Sequence, residues 1–282
     1  MVTRVNPFSG RVDLGISDAD IFGAKTKTLN DFIGLVTPAN VKGLWLFDQN
    51  GASSGITDRA TLGGATAHPA TLRDGGLAAI NANVCAPGLL GLAPCLGLDA
   101  THLWNTPDSA DFTAALTALS VIWAGKPVDL TDCTFAAKLD LTTGTEQREW
   151  GFFTDGNDKI FFNIYDNIAP AIIGRYYNTA ITADENGIHS YIGTYNGGTL
   201  ASGIKIYKDG LVVDDTNNTS GSFTTMRNTT SLVGSYYKST GGAIYAPCKG
   251  KAAIAAIVAE NLSAVQAARI DALLRGWLGA NY

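Results

Sequence analysis

The chain has 282 residues, of which 16% are charged and 32 are glycine. That is the composition of a turn-rich β protein, and it excludes a coiled coil or a disordered chain. The net charge of −5 is spread without any Lys/Arg cluster, so the electrostatic footprint of a nucleic-acid binder is missing.

The first segment, 1–39, has no sustained period. "AKTKTLNDFIGLV" predicts a short helix from Lys25 to Leu35, which Pro38 ends. Phe8, Ile21, Phe22, Phe32 and Ile33 make the segment too apolar for a solvated tail. It reads as an arm that docks on its own domain or on a partner, and the remainder is expected to fold without it. The N-terminus lacks the apolar core of a signal peptide, so synthesis in the cytosol without classical export is expected. No run of about eighteen apolar residues is present, so membrane insertion is not expected.

From about residue 40 to 258 the chain reads as strands. "VKGLWLFD" (41–48), "GLDATHLW" (97–104), "LTALSVIWAG" and "CTFAAKLDL" (133–141) come first. They are followed by "REWGFFTDGNDKIFFNIYD", "AIIGRYY", "GIHSYIGTY", "GIKIYKDGLVVD", "TSLVGSYY" and "GKAAIAAIVA". These segments are rich in β-branched and aromatic residues and are bounded by Gly, Asn, Asp or Pro. Asp209-Gly210 between "KIYK" and "LVVD" predicts a two-residue type I′ turn. Asp155 to Asp158 predicts a longer hairpin loop. No βαβ alternation occurs, so the fold class is an all-β, two-sheet antiparallel jelly-roll sandwich.

The four cysteines are Cys85, Cys95, Cys133 and Cys248, with no CxxC pair, so zinc is poorly supported. Cys85 and Cys95 bracket "APGLLGLAP"; either they form a disulfide or all four are buried thiols. A C-terminal helix over about 262–279 follows. Ser263 and Gln266 stand at capping-box spacing, and Ile270, Leu273, Leu274, Trp277 and Leu278 form one apolar stripe. Gly279 is placed to end it.

The order of these pieces resembles the concanavalin A-like lectin/glucanase superfamily, and within it the laminin G-like domains. "GLWLFD", "GLDATHLWNTPDSADFT", "ALSVIWAGK", "GIHSYIGTYNGG", "IKIYKDGLVVD" and "AIVAENLSAVQAARIDALL" stand in the family's order and span 40–282. The resemblance implies a jelly-roll domain at 40–282, an arm at 1–39, and a packing and hydrogen-bonding function for His189. It also implies calcium on a loop rim as an option, for which Asp48, Asp58, Asp74 and Asp99 are the oxygen donors available. Turn capping by the same residues is the alternative.

Glycoside hydrolysis needs two carboxylates about 5–5.5 Å or about 6.5–9.5 Å apart across the scissile bond. The family's catalytic Glu-x-Asp-x-x-Glu pattern is absent, and Glu146 and Glu149 read as solvated surface charges. The chain is therefore read as a non-enzyme. Glycan binding would use aromatic platforms near strand ends, with Trp104, Tyr177 and Tyr237 as candidates. In the pairs Tyr176/Tyr177 and Tyr236/Tyr237 one ring should face inward and one outward.

Sandwiches of this kind with an irregular apolar leader and no catalytic residues resemble surface proteins of tailed bacteriophages. That implies a virion structural component, a capsid decoration or tail-fibre protein made in the host cytoplasm. Its partners would be other virion proteins through 1–39, further copies of itself, and a host surface glycan. The alternatives are a lectin module of a secreted or cell-surface protein and a divergent glycoside hydrolase. Asn217, Asn218 and Asn228 head N-x-S/T triplets, which matter only in a eukaryotic secretory setting.

Overall fold

A computed structural model of the chain describes residues 27, 29–48, 54–91, 93–113, 117–144, 146–166 and 171–279. A helix, α1, covers 29–35. The strands follow as β1 (Val41–Leu46), β2 (Gly55–Ile56), β3 (Ala70–Arg73), β4 (Gly88–Leu90), β5 (Ala93–Leu98), β6 (Leu103–Thr106), β7 (Leu119–Asp129) and β8 (Thr134–Asp140). Next are β9 (Gln147–Thr154), β10 (Ile160–Tyr165), β11 (Ile172–Tyr176), β12 (His189–Tyr195), β13 (Ile204–Lys208) and β14 (Leu211–Val212). Then come β15 (Thr216–Ser220), β16 (Val233–Gly234), β17 (Tyr237–Lys238), β18 (Ile244–Tyr245) and β19 (Lys249–Val258), and the chain closes with α2 (Ala264–Leu278).

The strands form two sheets, which makes the fold a β-sandwich. One sheet runs β14-β13-β12-β7-β19-β5-β4, with β1 also paired to β19. The other runs β15-β11-β10-β9-β8-β16-β6-β3-β2, with β17 and β18 attached beside β8. Pairing is antiparallel except where Lys238 of β17 lies parallel to Asp140 of β8.

The main core lies between the sheets. Trp45, Trp104, Trp123, Trp150, Phe135 and Phe152 are among its fully buried side chains. The first sheet is buried on its other face too. Ile122, Ala124, Ile192, Ala253 and Ala256 face a second cluster completed by Ile270, Leu274, Trp277 and Leu278 of α2. Leu29, Phe32, Ile33 and Val36 join the same cluster. The end of the 1–39 segment is thus part of this domain's core, so the expectation that a chain starting near Ala39 keeps its whole core is corrected. Residues 1–26 of that segment lie outside the described residues.

The local signals act as their chemistry predicts. Asp209 and Gly210 have φ of 52° and 77°, the left-handed pair that a type I′ turn requires, and they close the Lys208–Leu211 hairpin. At the Asp155 loop the Asp155 carboxylate accepts the N–H groups of Asn157 and Lys159 at 2.9 and 3.0 Å. The α2 cap is a full capping box: Gln266 N–H donates to Ser263 Oγ and Ser263 N–H donates to Gln266 Oε1. Gly279 ends the helix at φ 68°, against Gly91, where a Cβ would sit 2.4 Å from the Gly279 nitrogen. A side chain at Gly91 would therefore drive the helix end off the sheet.

Cys85 and Cys95 are both free thiols. Cys85 belongs to the inter-sheet core and Cys95 to the helix-side core, so they sit on opposite faces of the first sheet. That separation answers the disulfide expectation. Cys133 and Cys248, by contrast, share the inter-sheet core.

Trp277→Ala and Phe32→Ala should each destabilise by about 3–5 kcal/mol, the usual cost of emptying a buried aromatic site. Urea unfolding checks this, and a loss under about 1 kcal/mol for Phe32→Ala would place α1 outside the cooperative unit.

Candidate functional site

Among the described residues the helices α1 and α2 pack on the outer face of the first sheet, and neither packs on the outer face of the second. Aromatic rings line it. Each strand doublet sends one ring inward and one outward. Phe152 and Phe162 enter the core, while Phe153 and Phe161 face out. Tyr176 of β11 pairs across from Phe161, and Phe161 pairs across from Phe153.

The rings stack. Phe161 and Tyr176 lie 4.8 Å apart at 15°, and Phe153 and Phe161 6.0 Å apart at 11°. Tyr237 continues the row at 5.9 Å from Phe153, and Tyr245 ends it at 5.3 Å from Tyr237. Phe153, Phe161, Tyr176 and Tyr237 are half-buried and Tyr245 is exposed. The Phe153 ring leans over Gly151, the next outward position on its own strand, and uses the space a side chain there would fill.

A polar cleft of about 180 Å³ opens beside Tyr237. Asp140, Gln147, Thr230, Ser231, Tyr236 and Lys238 line it over a Leu139 floor. Asp140 pairs with Lys238 at 3.2 Å. Although burial pushes the Asp140 carboxyl up, hydrogen bonds from Thr142 and Lys238 hold it below its ordinary range. Thr230 Oγ donates to Gln147 at 3.0 Å. Burial first, and then Tyr245, Tyr165 and Asp132, push the Tyr237 phenol up. Row and cleft together offer apolar ring surface flanked by fixed donors and acceptors.

The sequence candidates are redistributed. Trp104 is fully buried, with its ring 5.1 Å from Trp45, so it is no surface platform. Tyr177 packs against the inter-sheet core, and its neighbour Tyr176 takes the outward position instead. Tyr237 is on the outer face, and Tyr236 is buried next to it, lining the cleft and accepting a hydrogen bond from Asn105. Phe153 and Phe161 were missed, although each "FF" doublet carried the signal of one outward ring.

The acidic candidates do not converge. Asp58 is buried and accepts backbone N–H groups from Leu44, Ala60 and His68 at 2.8, 2.9 and 2.8 Å. Burial nonetheless raises its carboxyl above the ordinary range. Asp48 pairs with Arg59, Asp74 caps the turn at Gly76 and Ala78, and Asp99 binds Thr101 and His102. Among the described residues no three His, Cys, Asp or Glu side chains are grouped to hold a metal ion. His189 bonds Asp209 at 2.8 Å, beneath the type I′ turn.

Glu146 is at the surface with Arg148, but Glu149 is not a solvated charge. It is fully buried, 2.7 Å from the equally buried Lys138. The cause is a β-bulge: Lys138 pairs with Trp150 and Leu139 with Arg148, so Glu149 is the extra residue and is turned inward.

No family model matches the chain, and no curated protein matches it. Among solved structures its fold is similar to domain 4 of AbnA, a GH43 extracellular arabinanase from Geobacillus stearothermophilus, in complex with arabinotriose. The TM-score is 0.54 at 15% identity, over 83% of this chain and 98% of that one. The botulinum neurotoxin serotype D ligand-binding domain in complex with N-acetylneuraminic acid gives 0.54 at 12%, over 87% and 52%. The binding domain of Paraclostridial Mosquitocidal Protein 1 gives 0.51 at 10%, over 83% and 52%. The chain thus spans about half the length of these toxin domains. At such identities the likeness shows the fold: a β-sandwich shared with binding domains, two of them solved with saccharides. Neither a concanavalin A-like assignment nor a phage origin follows from it.

Lys138→Met should destabilise by about 3–5 kcal/mol, because it strands a buried carboxylate. The double variant Lys138→Met/Glu149→Leu should recover much of that loss in thermal or urea unfolding. A double variant as unstable as the single one would mean that the carboxylate is not what Lys138 compensates.

Proposed function

We propose that the chain is a non-catalytic glycan-binding module whose ligand lies along the outer face of the second sheet. The observation that carries this reading is the row Tyr176–Phe161–Phe153–Tyr237–Tyr245, which crosses that face beside a polar cleft lined by Tyr236 and Lys238, the chain neighbours of Tyr237. A sugar ring has apolar C–H faces and a polar rim. The first suits half-buried aromatic surface and the second suits Asp140, Gln147, Thr230 and Lys238. The saccharides bound to two proteins of similar fold support the same reading. The buried bulge residue Glu149 offers no second carboxylate to an open cleft, which favours binding over hydrolysis. Binding needs no metal in this reading, because the acids near the cleft already have protein partners.

The reading extends to a virion surface component, present in several copies, with the early part of the 1–39 segment docking on other particle proteins. Phe8, Ile21 and Phe22 of that segment support it. Mass spectrometry of purified particles from the native source tests this placement, and absence from them would remove it.

Phe161→Ala and Tyr237→Ala should each weaken glycan binding about tenfold, the equivalent of about 1.4 kcal/mol. A glycan array identifies the ligand and calorimetry measures it, with a chelator leaving the affinity unchanged. Full binding by the Phe161→Ala/Tyr237→Ala double variant would move the site elsewhere.

A further inference from the structure

Lys138 stands at the centre of a buried polar cluster. Its ammonium group lies 2.7 Å from Glu149 Oε1 and 2.7 Å from Asp108 Oδ1, and it donates to Thr113 Oγ at 2.9 Å. Both Lys138 and Glu149 are wholly inaccessible, and Asp108 comes from the loop after β6 that covers them. Thr113 donates to Glu149 Oε2 at 2.8 Å, and the amide and hydroxyl of Thr229 donate to Oε1. Phe112 and Trp150 of the main core flank the cluster, joined by a Trp150 Nε1–H bond to the Phe112 carbonyl. One cation thus faces two carboxyl groups, Glu149 wholly buried and Asp108 about one-third exposed.

We propose that Lys138 and Asp108 condense into an intramolecular amide, with Glu149 carrying the proton. The ammonium passes a proton to the Asp108 carboxylate across their contact, leaving a neutral amine and a neutral acid. The Nζ lone pair then attacks Asp108 Cγ, forming the Nζ–Cγ bond. Glu149 takes a proton from Nζ and returns it to the departing hydroxyl. The Cγ–OH bond breaks, one water leaves, and Glu149 ends as it began. No oxidant or activated co-substrate is consumed.

Three features favour the step. The reacting groups are held in contact, which replaces a bimolecular encounter by an intramolecular one. The product neutralises Lys138 and Asp108, while Glu149 keeps the hydrogen bonds that Thr113 and Thr229 donate to it. Burial raises the Glu149 carboxyl above its ordinary range, with Lys138 and Thr229 opposing, which suits a group that must both accept and give a proton. The bond would tie the loop before Phe112 to the middle of the second sheet.

Intact mass spectrometry of the purified, denatured full chain tests this. The expected mass is one water below that of the sequence, and digestion should yield a branched peptide joining Lys138 to Asp108. Asp108→Ala removes the acceptor at a partly exposed loop position and should restore the full mass in a folded protein. Asp108→Asn should still condense, releasing ammonia in place of water. Glu149→Gln should remain at full mass with circular dichroism unchanged. A wild-type chain at full mass after prolonged incubation, or water loss that persists in Asp108→Ala, overturns the proposal.

Discussion

The double burial of the first sheet is the constraint on which the rest of the molecule depends. Its central strand β19 carries "AAIAAIV", buried along its whole length, with β1, β5 and β7 paired along it. A strand that is apolar on both faces must be covered on both. The second sheet covers one face, and α1 and α2 cover the other. Small alanines on β19 let the helices approach closely, and Trp277 and Phe32 fill the remaining space. The helices are therefore core elements, and among the described residues neither covers the outer face of the second sheet.

That outer face has its own logic. A flat sheet surface with aromatic side chains is costly to leave in water unless the rings shield one another. Stacking across β9, β10 and β11 does this in part, and Phe153 lying over Gly151 adds to it. The residual exposed ring surface is what a ligand with apolar faces would cover. The polar cleft, bounded by the chain neighbours of Tyr237, adds fixed donors and acceptors beside the rings.

Buried acids organise the loops. Asp58 gathers three backbone N–H groups from β1 and the segment before β3, and Glu149 anchors Thr229 and Thr113 from two separate loops. Each carboxylate satisfies several donors that an irregular backbone would otherwise bury unpaired. A sandwich with many short strands has many such ends, which accounts for the number of acidic residues drawn inside it.

Much of this architecture is legible in the chain itself. The Asp209-Gly210 turn, the Ser263–Gln266 capping box, the Gly279 stop and the alternating strands are local, because backbone sterics and short-range hydrogen bonds decide them within a few residues. The two-sheet class follows from their number and spacing. Other features are not local. Whether Tyr176 or Tyr177 faces outward depends on register, and a shift of one residue exchanges the two faces. Glu149 looks like any surface glutamate until the bulge opposite Lys138 turns it inward. Cys85 and Cys95 are close in sequence yet fall on opposite faces of one sheet. The aromatic row exists only because β9, β10, β11, β17 and β18 are brought side by side. Each of these outcomes rests on pairing between distant segments, and pairing is set by the packing of the whole sandwich rather than by any one strand.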